Sequence, residues 1–190
     1  MARYGAVAQV CETLIGLLDR CSKIDGIDPP FAFGLNLPKS SAQSPPTQPT
    51  IFLSLYRITP NGNPRVPGGR LMRDGRRQKA QLPLDLHFLL TVWSDSAQTE
   101  LSVAGWLMRA MEDNPILPAS LLNGEGANIF QPDETVEISL GELSIQDMAQ
   151  LWEGLTDSKY HLSIPYVARN VRIESVVPVA EGKPVRVREL

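Results

Sequence analysis

The chain has 190 residues, 43% of them hydrophobic, which is enough for one domain with a full core and excludes a wholly disordered protein. Its formal net charge of -3 argues against a general nucleic-acid binder, although a local basic patch remains compatible with that charge. With two cysteines the chain has no disulfide framework, as is usual for proteins made in a reducing compartment.

The first predicted element is an amphipathic helix from about Ala6 to Ser22. Apolar residues recur there at steps of three and four, and Gly26 marks its end. Phe31–Phe33 is a candidate short strand. The following stretch, residues 38–49, is rich in Ser, Pro and Gln and is predicted to be an exposed loop.

Two longer strands follow. Thr50–Thr59 is rich in β-branched and aromatic residues, and Leu82–Trp93 alternates apolar with polar side chains. In the first strand, strict alternation places Arg57 on the side of Leu53 and Ile58 on the other side. Because consecutive strands usually pair, we expect these two to form a hairpin with a long tip.

The tip of this predicted hairpin, Pro64–Lys79, is strongly cationic and is called the basic tip below. It holds one acid, Asp74, against six basic residues: Arg65, Arg70, Arg73, Arg76, Arg77 and Lys79. The length and charge exceed what a turn requires, so we interpret the basic tip as a surface that docks onto an acidic ring of partner proteins. A solvated loop is the alternative interpretation. The basic tip has no aromatic residue for base stacking, which disfavours nucleic acid as its partner.

A second helix is predicted after the hairpin. Ser94–Ser96 offers N-caps for a helix that runs to about Asp113, and Pro115 and Pro118 are interpreted as its stop. Its apolar side chains are expected to be buried: Leu101, Ala104, Trp106, Leu107, Ala110 and Met111.

The last third of the chain adds strands and one short helix. Thr135–Leu140 alternates apolar and polar residues and is predicted to be a strand. The last predicted strand spans about residues 162–175. Between them, Ser144 and Asp147 form a possible capping box in front of a short helix. The three tryptophans are expected in the core: Trp93, Trp106 and Trp152.

These elements predict an α+β fold with a mostly antiparallel or mixed sheet of four to five strands, covered by helices. Residues 1–177 are expected to form a single domain, and residues 178–190 a polar C-terminal tail.

Residue types that would carry catalysis or metal binding are sparse. His87 and His161 are the only histidines, and the cysteines add no metal-ligand spacing, so we predict no metal and no cofactor. Asp85 beside His87 is compatible with acid–base chemistry, but we interpret the pair as packing or hydrogen bonding on the sheet surface. A Gly-x-Ser-x-Gly nucleophile elbow is absent from the sequence. We therefore expect a protein that is not an enzyme.

Several short motifs occur in a fixed order between Val7 and Ser175. They are Leu53-Ser54-Leu55-Tyr56, Leu82-Pro83-Leu84-Asp85-Leu86, Glu100-Leu101, Met111-Glu112-Asp113-Asn114-Pro115, Leu151-Trp152, Tyr166 and Arg169. As an ordered set they resemble the cap, or tail terminator, family of contractile injection systems, which are phage-tail-like particles. This resemblance implies a tail-terminator-like domain that forms a homo-hexameric ring, with the inner tube and sheath proteins as its partners.

The function implied by the resemblance is a structural cap that closes the distal end of the inner tube and holds the last sheath layer. A transient assembly or cargo-loading adaptor and a small hydrolase near Asp85 and His87 stay open as alternatives. The N-terminus shows no signal-peptide pattern, and no stretch approaches the roughly 18–20 apolar residues that span a bilayer. We expect cytoplasmic synthesis and assembly into the particle without membrane insertion, with release of the particle left open.

Overall fold

The computed structural model describes residues 4–27, 30–36, 46, 48–62, 70–71, 77–124, 129–155, 160–175 and 177. The helices in these residues are α1 (Ala6–Ile24), α2 (Ala97–Asp113), α3 (Ala119–Leu122) and α4 (Ile145–Leu155). The strands are β1 (Ala32–Leu35), β2 (Thr50–Pro60), β3 (Arg70–Leu71), β4 (Arg77–Gln78), β5 (Leu82–Trp93), β6 (Ile116–Pro118), β7 (Thr135–Leu140) and β8 (Ser163–Ile173). The predicted α+β class is confirmed.

The main sheet has six strands in the order β1-β2-β5-β8-β7-β6. Only β1 and β2 pair in parallel, so the sheet is mixed but mostly antiparallel, as predicted. The main sheet has one strand more than the four to five expected. The additional strand is β6, which lies where the sequence predicted only the end of a helix at Pro115 and Pro118. Proline is tolerated at the edge of a sheet, where its missing N–H faces no partner strand.

The β2–β5 hairpin is confirmed, with Ile51 opposite Val92. Its register shifts between Leu55 and Arg57, which is the signature of a β-bulge. After the shift Arg57 lies opposite His87, and Ile58 lies opposite the buried Leu86. The strict alternation predicted beyond Leu55 is therefore wrong, because the extra residue of the bulge exchanges the two faces.

Helices α1, α2 and α3 contribute to one core that covers one face of the sheet. The predicted apolar stripe of α1 is buried, including Val10, Leu14 and Leu18. The helix ends two residues later than predicted, at Ile24. Gly26 follows it with φ of +64°, and the N–H of Ile27 bonds to the carbonyl of Ser22, which is a Schellman-type ending.

Helix α2 buries fewer of its apolar side chains than predicted. Val103, Leu107 and Met111 are buried, but Leu101 is exposed and its predicted burial is wrong. Trp106 is only half-buried. Its ring packs edge-on against Phe31, with centroids 5.0 Å apart, and its Nε1 donates a hydrogen bond to Asp25 at 2.7 Å. The indole thus joins the surface of α2 to the segments that follow α1.

On the opposite face of the sheet, one end is joined to α4 by contacts between aromatic rings. Thr91 and Ser163 are buried there and share a hydrogen bond of 2.8 Å between their hydroxyls. Trp93, which is half-buried, contacts the ring of His161 at 4.9 Å, and His161 contacts the buried Trp152 at 5.8 Å. Of the three tryptophans expected in the core, only Trp152 is fully buried.

Candidate partner-binding surfaces

The basic tip extends the β2–β5 hairpin beyond Pro60 and Leu82. Within it, β3 pairs with β4, with Arg70 opposite Gln78 and Leu71 opposite Arg77. The backbones of Arg70 and Arg77 are thereby held on neighbouring strands, and Lys79 is exposed. The other predicted contact residues, Arg65, Arg73 and Arg76, lie outside the described residues.

The Asp85 and His87 side chains do not bond to each other. His87 Nε2 lies 3.0 Å from Thr59 Oγ1, whereas Asp85 Oδ1 accepts hydrogen bonds from the side chain of Asn61 at 3.2 Å and the backbone N–H of Asn170 at 3.0 Å. Asn170 has φ of +63°. Asp85 therefore holds the left-handed Asn170 in the last strand, beside the register shift between β5 and β8.

The protonation state of His87 also follows from its surroundings. Burial and the positive charge of Arg57 lower the pKa of His87, while Asp85 acts in the opposite direction. The net shift is downward from 6.5, so the imidazole is neutral at pH 7. A neutral ring that hydrogen-bonds to Thr59 fits the predicted role on the sheet surface.

An apolar groove runs along α4. Its volume is about 560 Å³, and it is lined by Leu143, Ser144, Ile145, Met148, Ala149, Trp152, Glu153 and Tyr160. It is called the α4 groove below. The predicted N-cap at Ser144 is confirmed, because its Oγ accepts the N–H of Asp147 at 3.0 Å. The carboxylate of Asp147 accepts a hydrogen bond from the Ser144 hydroxyl and not the backbone bond that would complete a capping box.

The α4 groove was missed by the sequence reasoning because its walls come from two segments. Tyr160 packs edge-on against Trp152 with centroids 5.5 Å apart, although the helix ends before it. The sequence did contain one signal, which is the apolar Ile145 at the start of the short helix. In the structure its side chain is 90% exposed.

A small polar cavity of about 50 Å³ lies between β7, β8 and the turn before β7. Glu134 lines it and is only 8% exposed. Its Oε2 accepts the N–H of Gln131 at 2.8 Å, whereas its buried Oε1 has no hydrogen-bond partner among the described residues. Burial raises the pKa of Glu134, and the negative charge of Glu174 adds to the rise.

Within the described part of the chain, no group of three or more His, Cys, Asp or Glu residues is placed to bind a metal ion. In the same part, none of the helices is both long and apolar enough to cross a bilayer.

The family model described as the Pvc16 N-terminal domain matches residues 9–187. That match contains α1 from Gln9 onward, the whole of α2, α3 and α4, all eight strands given above, the basic tip and the α4 groove. The chain belongs to the Pvc16 N-terminal domain family. The resemblance seen in the ordered motifs is thus confirmed at the level of the family.

Two solved structures share the fold of this Pvc16 N-terminal domain. One is the PVC sheath/tube terminator of an extracellular contractile injection system in its extended state, with a TM-score of 0.65 and 16% identity. The other is the tube-terminating cap of the anti-feeding prophage, with a TM-score of 0.52 and 19% identity. At these identities the likeness establishes the fold, which is tail-terminator-like as predicted.

The two structures differ from this chain in length. The match covers 97% of this chain and 62% of the PVC terminator chain, and 84% of this chain and 54% of the anti-feeding prophage cap. This Pvc16 N-terminal domain therefore spans less than two thirds of either protein. A search among curated proteins gave no match.

Proposed function

We propose that this chain is a structural cap of a contractile injection system, which closes the distal end of the inner tube and holds the last sheath layer. The supporting observation is the fold match to a sheath/tube terminator over 97% of the chain, together with membership of the Pvc16 N-terminal domain family. In this proposal the protein is made in the cytoplasm, works by assembly and has no catalytic step.

The proposed mechanism is multivalent packing in a ring of six copies. Each copy makes moderate contacts with the terminal tube and sheath subunits, and closure of the ring makes all copies engage together. Once one copy is bound, the others act at a high effective concentration, so the ring is retained far more strongly than a single copy.

The basic tip is the proposed charged contact of each copy with an acidic protein surface of the particle. The basic tip has six basic residues and one acid, whereas the whole chain has a formal net charge of -3. Arg70 and Arg77 lie on paired strands at the end of a long hairpin, which fixes where the basic tip leaves the domain. Guanidinium groups at such a position can form bidentate pairs with carboxylates.

The test uses tube–sheath particles of the same injection system that lack this protein. Purified protein carrying a gold label should appear by electron microscopy at one end of each particle, and capped particles should keep their sheaths. A variant with Arg70, Arg73, Arg76 and Arg77 all changed to Ser should fold normally and label far fewer ends. The matched control changes Lys23, on α1, to Ser.

The outcomes separate the competing functions. Binding only to unassembled tube or sheath subunits would favour the adaptor and overturn the cap. End labelling by the quadruple variant at the level of the native protein would leave the cap in place but remove the role of the basic tip. Hydrolytic turnover that is abolished by His87→Ala would favour the hydrolase.

A further inference from the structure

The α4 groove is an apolar surface that the described chain leaves open. Ile145 at its rim is 90% exposed, although an isoleucine normally gains about 1.5–3 kcal/mol when fully buried. The base of the groove is the buried Trp152, whose Nε1 has no hydrogen-bond acceptor among the described residues. A groove of this shape suits a segment with a few apolar side chains that insert beside the indole.

The described charged residues on or next to α4 are all acidic. Glu142, Asp147 and Glu153 are exposed on or next to α4. From residue 142 to residue 155 the sequence contains these three acids and no lysine or arginine. A segment with apolar anchors flanked by cations would complement the groove and these carboxylates, whereas an acidic segment would be repelled by them.

The chain itself contains a segment with this chemistry, the basic tip. It places Val66, Leu71 and Met72 among its six cationic residues. Leu71 lies on β3, directly between Arg70 and Met72 in sequence, and opposite Arg77 on β4. The basic tip thus offers apolar anchors with an arginine close to each of them, a combination that complements the α4 groove.

The basic tip and the α4 groove lie at opposite ends of the same strands. The basic tip leaves the sheet at Leu82, which pairs with Ile173 at the end of β8. The lead into α4 lies at the start of β8, where the N–H of Gly141 bonds to the carbonyl of Pro165. At about 3.3 Å per residue, the stretch of β8 from Pro165 to Ile173 separates the two ends by roughly 26 Å.

This placement suits a head-to-tail contact between copies. When a surface at one end of a subunit fits a different surface at its other end, the contact is heterologous, and repetition of it closes a ring if the rotation allows. A two-fold contact between two α4 grooves would instead bring like charges together, which opposes binding.

We infer that the α4 groove of one copy receives the basic tip of a second copy. This inference rests on the proposed function and deepens it, because it names the acidic surface that the basic tip contacts. The apolar side chains of the basic tip enter the groove beside Trp152, and its arginines pair with Glu142 and Glu153. Each copy uses both surfaces, one toward each neighbour.

The first test locates the contact by photo-crosslinking. A benzophenone amino acid replaces Ile145 in the full chain, and unlabelled protein is mixed with ¹⁵N-labelled protein so that mass spectrometry identifies crosslinks between copies. We expect crosslinks from position 145 to residues 64–79 of a second copy. The matched control carries the same group at Ile24, which is 83% exposed on α1 and should not reach the basic tip.

The second test reverses the charges. Glu142→Arg with Glu153→Arg should reduce crosslinking from position 145 roughly tenfold, the size expected when a few exposed pairs become repulsive. Asp147 is left unchanged because its backbone N–H and its carboxylate both bond to the Ser144 hydroxyl that caps α4. Adding Arg70→Glu and Arg77→Glu to the same chain should restore crosslinking. Glu12→Arg with Glu112→Arg, two exposed acids on α1 and α2, should leave it unchanged.

Crosslinks confined to a single copy, crosslinks to another segment, the absence of crosslinks from position 145, or failure of the charge-reversed basic tip to rescue would each overturn the inference. None of these results depends on tube or sheath. The cap proposal is tested separately by end labelling, so the two can fail independently.

Discussion

At the scale of single residues, Glu134 has surroundings that disfavour its charge. It is almost fully buried, and it lies near Glu174, which is buried as well. One carboxylate oxygen accepts a backbone hydrogen bond, and Arg172 nearby favours ionisation, but burial dominates and raises the pKa of Glu134. A group with a raised pKa in the folded state favours folding in its protonated form.

We therefore expect Glu134→Gln to stabilise the protein in a pH-dependent way. The stability that protonated Glu134 contributes is fully present below its unfolded pKa, near 4.5, and is lost as the pH rises through the higher folded pKa. Gln cannot ionise, and its amide oxygen can still accept the N–H of Gln131. The melting temperature of the variant should match that of the native protein at pH 4 and exceed it increasingly toward pH 8.

The control for this prediction is Glu137→Gln, because Glu137 is exposed on β7. It should change the melting temperature little across the same range. A Glu134→Gln protein whose melting temperature falls below that of the native protein at pH 8 would show that the ionised carboxylate is stabilising in the fold.

Single-residue interactions could be predicted from the sequence when the two partners are close together along the chain. The N-cap bond between Ser144 and Asp147 could be predicted because the two residues are three positions apart. The partners of Asp85 are Asn61 and Asn170, which lie 24 and 85 residues away, so adjacency suggested His87 instead. Burial of Glu134 likewise comes from the packing of distant strands and leaves no sign in the sequence.

At the scale of elements, α1 shows most clearly how one helix face stabilises the fold. Its buried stripe includes Leu14, which is 1% exposed and belongs to the core on the sheet. Ile24, at the end of the same helix, is 83% exposed. The two residues are similar in volume and chemistry, so their comparison isolates the effect of burial.

Leu14→Ala should lower the free energy of unfolding by about 2–5 kcal/mol, because it removes buried methyl groups and leaves a cavity. Ile24→Ala should change it by no more than about 0.5 kcal/mol, as is usual for exposed positions. Urea unfolding followed by circular dichroism measures both values. Equal losses for the two variants would place α1 in a different orientation on the sheet.

Elements were predicted well where the hydrophobic period continued without interruption. β5 and β7 begin and end at the predicted residues, since their alternation is regular over their whole length. The bulge at Leu55 and Arg57 could not be read from β2 alone, because a register shift is a property of two paired strands. β6 was missed because it has three residues and ends in proline, which is too short to show a period.

At the scale of the whole molecule, fold and family could be predicted, but the second binding surface could not. The order of helices and strands determines the class, and the ordered motifs carried the resemblance that residues 9–187 confirm. The α4 groove depends on how Tyr160 returns onto Trp152, which is a tertiary contact. In the proposed ring, each copy contributes a basic tip that the local sequence encodes and an acceptor groove that only folding creates.

Association of this chain should accordingly depend on salt rather than on metal or oxidation. Burial raises the pKa of the Cys11 thiol to about 11, so it stays protonated and unreactive at neutral pH. Exposed charge pairs weaken as the screening length falls from about 10 Å at 0.1 M salt to about 3 Å at 1 M. The mass of the assembled species in analytical ultracentrifugation should be unchanged by a chelator or a reductant and should fall as sodium chloride rises.

The variant with four serines in the basic tip should show little of this salt dependence. Dissociation of the native protein by chelator or reductant at constant salt would contradict the prediction, as would a mass that stays constant in high salt.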